Sequence, residues 1–216
     1  MNPRATVSAL MKRFRARRMQ EFIRRFAVTN STRILDVGGT PDNWRIAGIH
    51  PRVTLLNMPR GQEFTESGFT FVSADGCRLP FRDQSFEIVF SNSVIEHVGA
   101  GDAQRQFAGE VRRVGKSYWV ETPNRRFPVE QHLLTPFVHW LPRAWQRPIV
   151  SKWTIWDRVE KPSPDRREFY IRHYLDDVRL LTARELSALF PDAEILRERA
   201  FGWTKSLIAA KNRVTR

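Results

Sequence analysis

The periodicity of apolar and polar positions changes several times along the chain, and each change marks an element. Arg33-Ile-Leu-Asp-Val37 is a short apolar run that ends in Gly38 and Gly39, which reads as a buried strand entering a turn. Thr40, Pro41 and Asp42 then offer a helix start, with Thr40 placed to cap and Pro41 at the first helical position. Further strands are expected at residues 52–56, 69–72, 86–90 and 117–120, and a helix over 103–114. Thr182-Ala-Arg-Glu185 has the spacing of a capping box and opens a helix reaching Phe190. Two last strands, 193–199 and 206–210, are separated by too few residues for a crossover and should pair antiparallel. Before all of these, Val7, Leu10, Met11 and Phe14 form one helical stripe and Met19, Phe22, Ile23 and Phe26 a second, rotated from the first.

Strands alternating with helical patterns predict βαβ units and a parallel sheet with helices on both faces. The expected architecture is α/β: a Rossmann-like, seven-stranded, mostly parallel sheet with one antiparallel C-terminal strand. A basic helical segment over residues 1–30 precedes a single domain over 31–216. The stretch from about 125 to 174 fits the alternation poorly, with six prolines and ten Lys/Arg against five acids. It is too long for a plain loop and reads as an insertion on the substrate side, carrying Trp140, Trp145, Trp153 and Trp156.

Composition narrows the picture. A chain of 216 residues holds one full-sized core. The single cysteine, Cys77, excludes an intrachain disulfide and any cysteine-based zinc cluster, so no metal is expected and a reducing, cytoplasmic setting fits. No apolar run is long enough to span a bilayer, and the N-terminus lacks the apolar core of a secretory signal. The net charge of +13 points to an anionic partner, whether nucleic acid, acidic lipid or a phosphorylated substrate. The first 26 residues hold eight Lys/Arg against Glu21 alone, which leaves open a peripheral membrane contact through the N-terminal helix or a helix packed on the domain edge.

In an open parallel sheet, ligands bind beyond the carboxyl ends of the strands. Polar or small residues stand at four of those ends: Gly38 and Gly39, Asn57, Asp75 with Gly76, and Ser91 with Asn92. The residues after the first strand lack the G-x-G-x-x-G phosphate fingerprint, which argues against a dinucleotide.

These residues resemble a known family. Ile34-Leu-Asp-Val-Gly-Gly-Thr40 is similar to the glycine-rich first motif of class I S-adenosylmethionine (SAM)-dependent methyltransferases. Phe71 to Asp75, Leu79 to Phe86 and Val94-Ile-Glu-His-Val98 resemble the motifs around the third and fourth strands in the type 11 branch. The resemblance implies SAM as cofactor. It implies that Asp36, Gly38 and Gly39 line the methionine and ribose part, Asp75 and Gly76 the adenine, and Ser91 and Asn92 the methionine moiety. Asn57 stands where the family usually places an acid for the ribose hydroxyls, so a weaker grip on the cofactor is expected.

A hydroxyl acceptor also needs a base. His132 is the first candidate, with Glu130 beside it and His97 after the fourth strand as the other. No Asn/Asp-Pro-Pro-Tyr/Phe follows the fourth strand, which counts against a base-amine acceptor. The expected reaction is methyl transfer to a small-molecule, glycan or lipid-linked acceptor, an anionic one suiting the chain's charge. An RNA or protein methyltransferase and a non-catalytic SAM-fold protein remain as alternatives.

Overall fold

The structure is a computed structural model that describes residues 3–59 and 66–212. The ends of the two segments anticipated at 1–30 and 31–216 therefore fall partly outside the described residues.

A long helix, α1 (Pro3–Phe26), leads into β1 (Arg33–Val37). There follow α2 (Pro41–Ala47), β2 (Arg52–Asn57), β3 (Phe69–Ser73), β4 (Phe86–Asn92), α3 (Asp102–Val114) and β5 (Gly115–Pro123). An inserted region contains a two-strand hairpin, β6 (Val129–Glu130) and β7 (Thr135–Pro136), and a 3-10 turn at Val138–Trp140. It continues with α4 (Arg143–Lys152), α5 (Ile155–Glu160) and α6 (Pro164–Asp176). The chain closes with α7 (Ala183–Leu189), β8 (Glu194–Ala200) and β9 (Trp203–Lys211).

The main sheet has seven strands in the order β3-β2-β1-β4-β5-β9-β8. The first five run parallel; β9 pairs antiparallel with both β5 and β8. Strand order reverses between β1 and β4, so the carboxyl ends of β1, β2, β3 and β4 open on one side of the sheet. That reversal is where a ligand crevice belongs.

Two apolar layers cover the sheet, and alternation along each strand decides which side chain enters which layer. Leu35, Val37, Val89, Tyr118 and Val120 face α3 and α7, meeting Phe107, Val111, Leu186 and Phe190. Ile34, Ile88, Phe90 and Trp119 face the other way, onto Met19, Phe22 and Trp44. The second stripe of α1 is thus part of the main core, and Phe22 makes edge contacts with Trp44, Phe90 and Trp119. The first half of α1 is mostly exposed and reaches α5 through the Arg4–Glu160 ion pair.

The capping box expected at Thr182 and Glu185 is formed in both directions. Thr40 occupies the cap position of α2, but its side chain makes no capping bond; Pro41 starts that helix, and Asp42 pairs with Arg45. The insertion extends beyond the expected end near 174. Its two ends meet where Asn124 bridges Leu181 and the Arg125 amide donates to the Leu181 carbonyl. It has its own core of Leu133, Val138, Val150, Trp156, Ile171 and Tyr174.

Candidate active site

The loop after β1 is shaped by two glycines. Gly38 has φ +76°, a left-handed conformation, and a Cβ there would stand 2.4 Å from Val94 Cγ2. A Cβ on Gly39 would fall 1.9 Å from Asp36 Oδ2. The Asp36 carboxylate therefore lies directly beneath the loop, fully buried, and accepts a hydrogen bond from the Trp44 indole N–H at 2.8 Å. Burial raises its pKa to about 7, against the lowering effect of the Trp44 bond. Its Oδ1 has no partner.

Asn57, at the end of β2, donates through Nδ2 to the Gly39 carbonyl at 2.9 Å. It fastens the glycine loop to its neighbour strand, a task that a carboxylate cannot perform because it has no N–H. Asp75 is exposed beyond β3, where Oδ1 accepts from the Cys77 amide at 2.8 Å. Gly76 lies under it, and a Cβ there would come within 3.1 Å of Phe107 and Val37. Ser91 is fully buried and its hydroxyl donates to the Val37 carbonyl at 3.1 Å, tying β4 to β1. Asn92 is half-buried, with its Oδ1 accepting from the Arg18 guanidinium of α1.

Gly38, Gly39, Asn57, Asp75, Gly76 and Asn92 thus gather around the strand ends, while Asp36 and Ser91 support them from below. Cavities of about 710 and 440 Å³ lie elsewhere, against α7 and the insertion. Neither is lined by these residues.

Arg18 is a participant that the sequence did not announce, being one of eight basic residues in a basic segment. It is buried and forms ion pairs with Glu121 of β5 at 3.0 Å and Glu198 of β8 at 2.9 Å. Lys205 completes the group at 3.3 Å from Glu198. Its position at the spacing of Met19 and Phe22 was the available signal, since that side of α1 faces the core.

A second cluster lies beside the end of β4. The His132 ring donates through Nδ1 to Glu130 Oε1 at 2.6 Å, and Glu130 also accepts from the amides of His132 and Leu133. Glu130 is fully buried. His132 Nε2 stands 3.2 Å from His97 Nε2, so the structure unites the three candidates Glu130, His132 and His97. Burial alone would lower the His132 pKa, but the bond to Glu130 and the charges of Glu130, Glu96 and Glu121 raise it. His97 is pushed the other way, to about 4, by burial and by neighbouring His132 and His173.

Glu96 was present in the fourth-strand motif but given no role. It is fully buried, its Oε2 accepts from the Thr122 hydroxyl at 2.9 Å, and burial raises its pKa to about 7. The His97 ring stacks on His173 with centroids 5.0 Å apart and planes 9° apart, and His173 stacks in turn on exposed Phe169 of α6. The insertion therefore builds a wall of parallel rings at this cluster, which sequence separation concealed.

Residues 29–118 match a family model described as a methyltransferase domain. A search of curated proteins finds no match to the chain. Among solved structures, the chain is similar to phospholethanolamine N-methyltransferase 2 of Haemonchus contortus, bound to phosphomonomethylethanolamine and S-adenosylhomocysteine. They are 13% identical, with 84% of this chain and 38% of that one covered and a TM-score of 0.50. It is also similar to a SAM-dependent methyltransferase of Methanosarcina mazei, at 15% identity, 88% and 97% coverage and a TM-score of 0.48. A third neighbour, from Rhodobacter sphaeroides, is provisionally assigned as a zinc-dependent alcohol dehydrogenase. It is 9% identical, with 90% and 88% covered and a TM-score of 0.54. At such identities the first and third likenesses show the fold alone. Residues 29–118 are thus similar to a methyltransferase domain, and the sheet order and the glycine loop around them suit that fold.

Proposed function

We propose that this enzyme methylates a hydroxyl oxygen on an amphipathic small-molecule, glycan or lipid-linked acceptor, working in the cytoplasm at or near a membrane surface. SAM supplies a methyl group already activated on a sulfonium, so the chain's residues mainly bind, align and exclude water. In this reading Gly38, Gly39 and Asn57 receive the methionine and ribose, Asp75 with Gly76 receives the adenine, and Asn92 lies near the methionine end.

The observation that carries the hydroxyl assignment is the Glu130–His132 pair. With Nδ1–H committed to a buried carboxylate, the ring is oriented so that Nε2 faces the cluster beside β4. An acceptor hydroxyl placed there depends on His132 for loss of its proton. Exposed Phe169, stacked outside His173 and His97, offers a flat face for a ring or sugar, and the insertion carries further exposed aromatics at Trp145 and Trp153.

The test is transfer of labelled methyl from SAM into lipid, water-soluble, RNA and protein fractions of a cell extract. Label is expected in the lipid or water-soluble fraction. Asp75→Ala should raise the KM for SAM about tenfold through loss of a hydrogen bond to the charged side chain. His132→Ala should leave SAM binding intact and lower kcat roughly 100-fold or more, the usual reach of a proton-transfer group. Label confined to RNA or protein, or a kcat unmoved by His132→Ala, would overturn the proposal.

A further inference from the structure

We infer that Glu96, His97 and His132 form a binding site for one divalent transition-metal ion of the zinc class. Their ligand atoms, one carboxylate oxygen and two imidazole nitrogens, lie within 4.8 Å of one another. The two Nε2 atoms are 3.2 Å apart, and His97 Nε2 is 3.9 Å from Glu96 Oε1. A four-coordinate ion with bonds of about 2.0–2.1 Å holds its ligands roughly 3.3 Å apart, so little movement is needed to seat one.

Three further features point to an ion. Glu96 Oε1 is fully buried and has no hydrogen-bond partner, a costly state for a carboxylate unless a cation comes to it. His132 carries the outer support expected of a metal ligand: Nδ1–H is bonded to Glu130, which turns the Nε2 lone pair toward His97. Glu96 Oε2 is likewise held by the Thr122 hydroxyl.

Charge supplies the third feature. The neighbouring carboxylates Glu121 and Glu198 are matched by Arg18 and Lys205. Among the described residues, Glu96 and Glu130 form ion pairs within 4 Å only with His97 and His132, with Arg18 at longer electrostatic reach of Glu96. A divalent ion with two neutral imidazoles balances those two charges.

His97 and His132 are partly exposed, which leaves a coordination position open toward solvent, the arrangement of an ion that binds a substrate oxygen. His97 Nδ1 has no partner, so this ring is held mainly by its stack on His173 and is the weaker ligand. The inference deepens the acceptor-site reading and rests on it for the ion's role, though not for its presence. An acceptor hydroxyl at the open position would give its proton to water more readily, with His132 serving as ligand rather than as free base. Two imidazoles and a carboxylate suit zinc, cobalt or nickel better than magnesium or calcium.

The test uses the full chain, stripped with chelator and dialysed against Zn²⁺ or Co²⁺. One ion per chain is expected at micromolar concentration, with a cobalt visible spectrum of low coordination number. Glu96→Gln and His132→Ala should each weaken binding about 100-fold and His97→Ala about tenfold, while His139→Ala, outside the cluster, should change nothing. Circular dichroism of the stripped variants checks that they fold, and a rise of the wild-type melting temperature with Zn²⁺ provides a second reading that needs no variant. No bound ion in the wild type, or wild-type affinity retained in both Glu96→Gln and His132→Ala, would overturn the inference and leave the two histidines sharing a proton. Ion binding without methyl transfer would instead count against the proposed function, and methyl transfer by metal-free enzyme against the ion alone.

Discussion

At Asp36 the chain buries a carboxylate with one oxygen bonded to Trp44 and the other to nothing. Its raised pKa, about 7, fixes the sign of a pH effect. The folded value lies above that of an unfolded aspartate, so the folded state binds the extra proton between about pH 4 and pH 7. Stability from this group is fully present below that window and is lost as pH rises through it, by on the order of 4 kcal/mol. Asp36→Asn keeps an acceptor for Trp44 and removes the charge. Its melting temperature relative to wild type should therefore move in the variant's favour between pH 5 and pH 8. A difference that does not change with pH would show that the carboxyl bears no burial penalty. The Gly-Gly sequence made the turn legible, because a strand running into two glycines has few other readings. The support under Gly39 was not legible: it needs Trp44 from α2 to hold Asp36 in place, and Asn57 was read for its oxygen whereas its N–H holds the loop.

At the level of elements, α1 behaves as two half-helices in one rod. Its second half is core, and Arg18 is the polar member of that buried face. Removing the guanidinium would strand Glu121 and Glu198 in the interior, the costly way to break a buried ion pair. Arg18→Ala should lower stability by roughly 3–5 kcal/mol in denaturant melts, and adding Glu121→Gln should recover part of it. An Arg18→Ala loss below about 1 kcal/mol would mean that water replaces the ion pairs. The periodicity predicted both stripes of α1, the strands and the final antiparallel pair, because each has a local apolar pattern. It did not predict that Arg18 reaches across to β5 and β8, nor that His97, His132 and His173 converge. Those contacts join segments 35 or more residues apart through the fold of the insertion, which has no simple period.

For the molecule as a whole, the proposed membrane contact calls for a surface that suits both the +13 charge and an apolar interface. Trp145, Ile149 and Trp153 lie at successive four-residue steps on and just past α4, and all three are exposed. Phe137 and Trp140 add exposed rings nearby in the chain, and the Arg158 guanidinium sits 6.0 Å from the Trp153 ring. No helix of the described residues is long and apolar enough to cross a membrane. An aromatic stripe flanked by cations is instead suited to the interface of an anionic bilayer, where indoles settle at headgroup depth. The enzyme should sediment with phosphatidylserine-containing vesicles at low salt, show a blue shift of tryptophan emission, and release as salt screens the charge. Replacing Trp145 and Trp153 together with Asp should weaken vesicle binding at least fivefold and leave SAM binding unchanged, since neither residue lines the cofactor loops. Binding that depends on salt but ignores these two substitutions would assign the attraction to charge alone and the aromatic stripe to some other contact. Absence of vesicle binding at low salt would remove the membrane from the proposal and leave a water-soluble acceptor.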